Sequence, residues 1–206
     1  MTNTIENSFG QRIQRTHHSI IKVTADLTDE QFAQQPSQTA PPIGWHLFHS
    51  ARWTDRLQAS LSLKSSESNQ PVDLSKQIWT VESLAAEWGL PPTDLGFLET
   101  GIGMTINDAV SVALLGKSPL LDYARRTFAK AEQVIAELNV EQLQQLHPSI
   151  FPQVQVSPTG QLTVSGERNV TVLDDLLFHI SHAGRHLGMI EALRGVLFTI
   201  AGTASL

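Results

Sequence analysis

The chain has 206 residues, of which 41% are hydrophobic, a net charge of −6 and no cysteine. The lack of cysteine excludes a disulfide framework, a thiolate metal site and a cysteine nucleophile, and the acidic balance offers no basic surface for nucleic acid or an anionic membrane. No apolar run approaches the roughly 18 residues of a membrane span, and the N-terminus lacks the apolar segment of a signal peptide. We therefore expect one cytoplasmic domain over residues 1–206, with no nucleic-acid or membrane partner.

The first predicted helix covers residues 6–25 and carries two adjacent histidines, His17 and His18. Neighbouring residues of a helix face about 100° apart, so these two side chains cannot both serve one site. We interpret both as surface or rim residues rather than ligands. Thr28 and Gln31 then form a capping-box pattern, which predicts a short helical turn.

The second long helix is predicted over residues 43–63 and buries an aromatic stripe. His49 lies four residues from both Trp45 and Trp53, which places it on the same helical face as these aromatic side chains. It is therefore a natural candidate for a metal ligand. His46, three residues earlier, is interpreted as either outward-facing or a supporting residue beside the site.

The middle of the chain is predicted to be a series of shorter elements. In chain order these are a polar loop over 64–76, a short helix over 79–88, an irregular Gly/Pro-rich insertion over 89–104, a helix over 105–115, a helix over 118–138, a short turn from Asn139 and a small β-hairpin over 154–170. Ser118 is the expected N-cap of the helix over 118–138, and Pro119 is its expected first residue. The hairpin turn is expected at Pro158-Thr159-Gly160.

The last long helix is predicted over residues 171–195. Thr171 is a favourable N-cap, and Asp174 stands three residues on, where a carboxylate can complete a capping box. Gly195 is expected to end the helix. The fold class is thus all-α: a four-helix bundle with the irregular insertion and one hairpin before the last helix.

Three histidines share one stripe of this last helix: His179, His182 and His186. Three apolar side chains lie on the same stripe, which we expect to be buried: Phe178, Met189 and Leu193. Each histidine could be a core residue with its own hydrogen-bond partner. The alternative is a divalent metal, because two imidazoles at i and i+4 can converge on one ion. The helix alone leaves both interpretations open.

With His49 on one helix and two histidines on another, the chain resembles the DinB-like family of metal-binding proteins. Three segments carry the resemblance: IGWHLFHSARWTD at 43–55, HISHAGRHLGMIEALRG at 179–195 and, more weakly, LTDEQFAQQP at 27–36. Leu187 and Met189 stand where the family often has Arg and Gln. The site of this chain is therefore more apolar than is usual in the family.

The resemblance implies a homodimeric four-helix bundle that binds one divalent metal ion per chain. Matched position by position, the ligands would be His49, His182 and His186, with His179 and His46 as supporting residues. Three neutral histidines leave coordination positions open, as in catalytic metal sites. Zn or Ni is the expected metal, with Fe or Mn as alternatives.

Three functions follow as hypotheses. The first is a metal-dependent enzyme acting on a small-molecule substrate, as a thiol S-transferase that uses a low-molecular-weight thiol or as a hydrolase; the resemblance implies both. Arg52, Asp55 and Arg185 are the candidate catalytic residues, although Arg52 and Asp55 also fit an ordinary surface ion pair. The second is a metal-binding protein without turnover, and the third is a stress-related dimeric interaction protein.

Overall fold

Four long helices carry most of the protein in the computed structural model, which describes residues 4–61, 74–156, 162–165 and 168–202. The helices of these residues are α1 (Thr4–Ala25), α2 (Asp29–Ala33), α3 (Ile43–Leu61), α4 (Ile78–Val81), α5 (Leu84–Glu87), α6 (Ile106–Ala113), α7 (Lys117–Ala136), α8 (Val140–Gln144) and α9 (Val172–Phe198). Short 3-10 helices lie at Leu74–Lys76 and Pro92–Asp94. Within the described part of the chain, no helix combines the length and apolar character needed to cross a membrane.

The long helices α1, α3, α7 and α9 form the predicted four-helix bundle. Helix α3 packs against α7 and α9, and α1 packs against the same two helices. Thus α1 and α3 occupy opposite corners of the bundle. Ile20, Leu47, Leu120 and Ile190 are fully buried between the helices, and burial of each such side chain contributes about 1.5–3 kcal/mol.

The predicted helix starts at Thr28 and Thr171 are confirmed. Each threonine accepts a hydrogen bond from the backbone N–H three residues on, and the side chain of that residue, Gln31 or Asp174, bonds back to the threonine backbone. Two orphan N–H groups are satisfied at each start. Prediction of these boundaries succeeded because a capping box depends only on local sequence.

The end of α9 and the start of α7 differ from the prediction. Helix α9 continues through Gly195 to Phe198 and ends at Thr199, which has a left-handed backbone conformation. Helix α7 begins at Lys117 after Gly116, whose φ is +94°, so Ser118 lies inside the first turn and does not cap it. The backbone N–H of Lys117 donates instead to Asp29 Oδ1 at 2.9 Å, a partner 88 residues away.

The predicted helix over 79–88 is wrong in one respect, because it is broken in the middle. Ser83 has a φ of +54°, a left-handed conformation that separates α4 from α5. Most of the polar loop predicted over 64–76 lies outside the described residues. The insertion over 89–104 is irregular, as predicted, and contains one isolated bridge between Phe97 and Ile102.

In the part of the chain that the structure describes, four short strands pair two by two before α9. They are β1 (Leu146–Pro148), β2 (Gln153–Val156), β3 (Leu162–Ser165) and β4 (Asn169–Thr171). The β2–β3 pair is the predicted hairpin, with Val154 opposite Val164; its turn at 158–160 lies outside the described residues. The β1–β4 pair, with His147 opposite Val170, was not predicted and places β1 beside the start of α9.

Candidate metal centre

Three histidines from two facing helices converge at one point of the bundle. His49 belongs to α3, while His182 and His186 lie one turn apart on α9. Each offers one ring nitrogen, and these nitrogens all lie within 4.8 Å of one another. The structure therefore brings together the three residues that the sequence indicated, and they could hold a metal ion. We call them the histidine triad.

The proton position on His49 is determined by a backbone carbonyl. Its Nδ1 lies 2.5 Å from the oxygen of Thr100, and because a carbonyl can only accept, Nδ1 carries the proton. Its Nε2 therefore has a free lone pair, which faces His182 Nε2 at 3.1 Å. Two nitrogens bound tetrahedrally to one zinc ion would stand about 3.3 Å apart, so the donor set fits a metal. In metal-ligating histidines, the ring nitrogen that does not bind the metal typically donates its N–H to such a carbonyl.

The ring of His49 is held between α3 and the irregular insertion. Trp45 stacks on it with ring centroids 4.8 Å apart and an interplanar angle of 16°. Gly101 covers the pair with a φ of +91°, and a Cβ atom there would lie 2.9 Å from Trp45 Nε1 and 3.3 Å from His49 Nδ1. Glycine is required at this position by both the close approach and the backbone conformation.

Burial keeps the triad neutral, which is the form that binds metals. Desolvation is the main cause for each residue: it lowers the pKa of His182 to about 4 and holds the pKa values of His49 and His186 well below their ordinary range. The positive charge of Arg185 also lowers the pKa of His182. At neutral pH all three imidazoles are thus in the ligand form.

His46 contacts His186, one of the three histidines of the triad. It is 5% exposed, so the outward-facing interpretation is wrong. Its Nδ1 lies 3.0 Å from Nδ1 of His186, which occupies one nitrogen of His186 and leaves the other for a ligand. Desolvation lowers the pKa of His46 to about 4.

His179 belongs to a second, separate histidine contact. Its Nε2 lies 3.2 Å from Nε2 of His17, whose Nδ1 lies 2.9 Å from a carboxylate oxygen of Glu132. The surface interpretation of His17 is therefore wrong: the residue is 2% exposed and stacks on Phe128 at 4.0 Å, because α1 packs against both α7 and α9. His18 is exposed, as expected.

The triad lines a pocket of about 780 Å³ whose lining is mainly apolar. Trp53, Phe151 and Phe178 form much of its wall, and Met189 lies at the same opening. Phe178 and Met189 are each 42% exposed, so the prediction that their stripe is buried in the core is wrong for both. Their side of α9 borders the pocket rather than another helix. Leu193, farther along, packs partly buried against the core.

Of the three candidate catalytic residues, the structure places only Arg185 at the pocket. Arg52 and Asp55 are buried on another side of α3, where Arg52 Nη1 donates to the Tyr123 hydroxyl at 3.1 Å. The guanidinium also lies over the Trp79 ring at 4.5 Å. Arg52 and Asp55 do form the expected i,i+3 ion pair, at 3.5 Å, but it is not a surface pair, because Ile78, Trp79 and Glu99 contact and bury it.

Sequence reasoning missed three residues of the site: Thr100, Gly101 and Arg168. The first two act through the backbone, and the one available signal was the density of glycines in the insertion, which is typical of a close backbone approach. Arg168 lines the pocket from the segment before β4. Its position depends on the unpredicted β1–β4 pairing, since Ser149 beside β1 donates to its carbonyl at 2.9 Å.

A four-helix bundle with three histidines from facing helices at an open pocket defines a helical-bundle protein with a candidate metal site. The family profile of the DinB superfamily matches residues 12–190, and the chain belongs to that superfamily. Its fold is also similar to a crystal structure of a conserved protein from Enterococcus faecalis, with a TM-score of 0.70 and 16% identity, over 97% of this chain and 100% of that one. No curated protein matches the chain.

Proposed function

We propose that this protein is an enzyme that holds one divalent metal ion on His49, His182 and His186 and acts on a small-molecule substrate. The observation that carries the proposal is that all three histidines line a pocket of about 780 Å³. A structural metal site is closed by protein ligands, whereas a catalytic site keeps positions open. The proposed ion is Zn or Ni, with Fe or Mn as alternatives.

When bound, the ion would supply positive charge that favours the ionised form of a thiol or of water at neutral pH. The chain contributes the surroundings of that charge. Thr100 holds the proton on Nδ1 of His49, so that Nε2 stays available. His46 engages the outer nitrogen of His186, and the aromatic walls exclude water around a bound molecule.

We propose thiol S-transfer as the reaction, as the family resemblance implies. In such a reaction the sulfur of a low-molecular-weight thiol forms a bond to an electrophilic carbon. The leaving group departs with the electrons of its bond, and the thiol proton passes to solvent. The chain has no cysteine of its own, so the thiol would enter as a second small molecule. Hydrolysis at the same site is the alternative reaction.

Metal analysis tests the site. Untagged wild-type protein and His182→Ala would be reconstituted with Zn, Ni, Mn or Fe, dialysed and measured by elemental mass spectrometry. We expect about one ion per chain in the wild type and loss of that ion in the variant. His18→Ala is the matched control, because His18 is an exposed histidine on α1. Wild-type protein that binds none of the four metals would contradict the proposal.

Activity assays on the loaded protein separate the remaining functions. A chromogenic aryl halide with a panel of small thiols reports S-transfer, and a p-nitrophenyl ester without thiol reports hydrolysis. Metal-dependent turnover with thiol that is lost in His182→Ala supports the transferase. Hydrolysis alone supports the alternative reaction, and bound metal without either activity supports a metal-binding protein without turnover.

We also propose that the protein is a homodimer, on the family resemblance. The chain has a mass of 22.6 kDa. Analytical ultracentrifugation should therefore give about twice this mass, and a species of the single-chain mass at micromolar concentration would contradict the dimer.

A further inference from the structure

The charged side chains around the pocket have one sign. Among the described residues that line it, the charged ones are Arg168 and Arg185, and no carboxylate accompanies them. The whole chain carries 20 acidic and 14 basic residues, so a random sample of its charges would be mainly negative. The pocket is thus electropositive within an acidic protein.

The position of Arg185 is unfavourable for a site that binds only a metal ion, because its positive charge lies close to the ligands. It follows His182 by three residues and precedes His186 by one on α9, and it lines the same pocket as both. Its positive charge repels a divalent ion on these histidines. Within the described part of the chain, the ion pairs do not include Arg185. A bound anion would offset this repulsion.

The aromatic residues of the pocket indicate what the uncharged part of the ligand is. Trp53 stacks on Phe151 with ring centroids 5.0 Å apart, and Phe151 contacts Phe178 at 4.6 Å. Phe178, which is 42% exposed, presents a flat apolar face at the pocket, and the buried rings of Phe151 and Trp53 lie behind it. Such a face favours an aromatic or other flat apolar group.

We infer that the substrate of this site is an apolar carboxylate, whose flat body packs among Trp53, Phe151 and Phe178 and whose anionic group pairs with Arg185, with Arg168 as a second cation. The inference rests on the proposed function, since it names the substrate class of the proposed metal site. A guanidinium binds a carboxylate by two parallel hydrogen bonds, which makes arginine the residue suited to this contact.

The test compares two ligands of the same shape, 3-phenylpropionate and its uncharged amide, by isothermal titration calorimetry. Each would be titrated into zinc-loaded and into metal-free protein, because a carboxylate can also bind a metal directly. We expect the wild type to prefer the anion by about tenfold or more in both forms, the effect of a charge-assisted hydrogen bond. No preference in either form would overturn the inference, and it would leave the metal analysis unaffected.

Variants assign the preference to its source. In Arg185→Ala the preference should fall below about threefold, and Arg168→Ala should show a smaller loss. The matched control is Arg125→Ala, since Arg125 is an exposed arginine on α7 that does not line the pocket; it should retain the wild-type preference. A preference unchanged in both pocket variants would overturn the inference, and an unchanged preference confined to zinc-loaded protein would assign anion binding to the metal.

A second readout does not involve a ligand. Because Arg185 repels the ion, Arg185→Ala should bind zinc about two- to tenfold more tightly than the wild type in a chelator competition. Weaker zinc binding in this variant would mean that Arg185 supports the metal site, and it would overturn the role assigned to it. Loss of zinc in every protein would instead contradict the proposed function, while the titrations of metal-free protein would still test the anion site.

Discussion

Helix α3 carries two buried polar clusters that differ in how completely their hydrogen bonds are satisfied. In the first, Asp55 accepts from Gln58 and the N–H of Ile78 on one oxygen, and from the N–H of Trp79 and the Tyr123 hydroxyl on the other, at 2.8–2.9 Å. We call this the Asp55 network. In the second, the histidine triad, nitrogen faces nitrogen at 3.1 Å.

We expect this difference to separate a structural cluster from a metal-binding one. The Asp55 carboxylate has these four donors and the Arg52 guanidinium at 3.5 Å, so it needs no further partner, and it ties α3 to α7 and to the covering segment. In the triad, the lone pair on Nε2 of His49 needs either a proton from Nε2 of His182 or a cation. The Asp55 network should therefore determine stability and the triad should determine metal binding, and the following variants test that division.

The largest effect is expected from Asp55→Ala. The variant leaves the Arg52 guanidinium and several N–H donors buried without the carboxylate, which costs about 3–5 kcal/mol of unfolding free energy. Urea denaturation followed by circular dichroism measures the loss. A loss below about 1 kcal/mol would contradict the structural role of the network.

His49→Ala should show the opposite pattern. Zinc affinity should fall by more than the roughly 10–100-fold that loss of a supporting contact costs, because a ligand itself is removed. The unfolding free energy of the metal-free protein should change less than in Asp55→Ala. Chelator competition and urea denaturation measure the two quantities, with His18→Ala as the control for both. Equal zinc affinity in variant and wild type would exclude His49 as a ligand.

Gly101→Ala is expected to affect both quantities moderately. A Cβ atom would meet Trp45 and His49 at 2.9 and 3.3 Å, and the φ of +91° is unfavourable for alanine. We expect a loss of about 1–3 kcal/mol in stability and about 10–100-fold in zinc affinity, through displacement of the His49 ring. Gly184→Ala is a matched control, because a Cβ atom at that glycine meets nothing within 4 Å.

His46 and His179 should differ from each other. His46→Ala removes the contact with His186 and should weaken zinc binding about tenfold. His179→Ala removes a contact with His17, outside the triad, and should change zinc affinity by less than about threefold. Chelator competition on both variants compares them, and an equal loss in the two would show that His179 also supports the metal.

The smallest effect is expected at the ion pair between the exposed Asp26 side chain and the buried Arg194 guanidinium. The hydrogen bond from the Arg194 guanidinium lowers the pKa of Asp26 below its ordinary value of 3.8. The pair therefore adds stability above this pH, and the contribution is lost as the pH falls through the lower folded pKa. Because the Asp26 side chain is 58% exposed, Asp26→Asn should cost only about 0.5 kcal/mol at pH 7. Thermal unfolding should therefore distinguish Asp26→Asn from the wild type at pH 7 and not at pH 2.5.

Local sequence was sufficient for the presence of the four long helices and for His49, His182 and His186 as candidate ligands, whereas the choice of these three as a set came from the family resemblance. The caps at Thr28 and Thr171 depend on residues three apart, and the spacing of His182 and His186 follows from the helical repeat. The stripe of Trp45, His49 and Trp53 likewise follows from a spacing of four. These features were predictable because each involves atoms within one or two helical turns.

Tertiary structure decided the features that depend on which surfaces meet. His17 is buried because α1 packs against two helices, and Phe178 is exposed because its side of α9 borders the pocket. The proton on His49 is fixed by Thr100, which lies 51 residues away. Sequence spacing determines which residues share a helical face, whereas burial, hydrogen-bond partners and pocket walls depend on the element that covers that face.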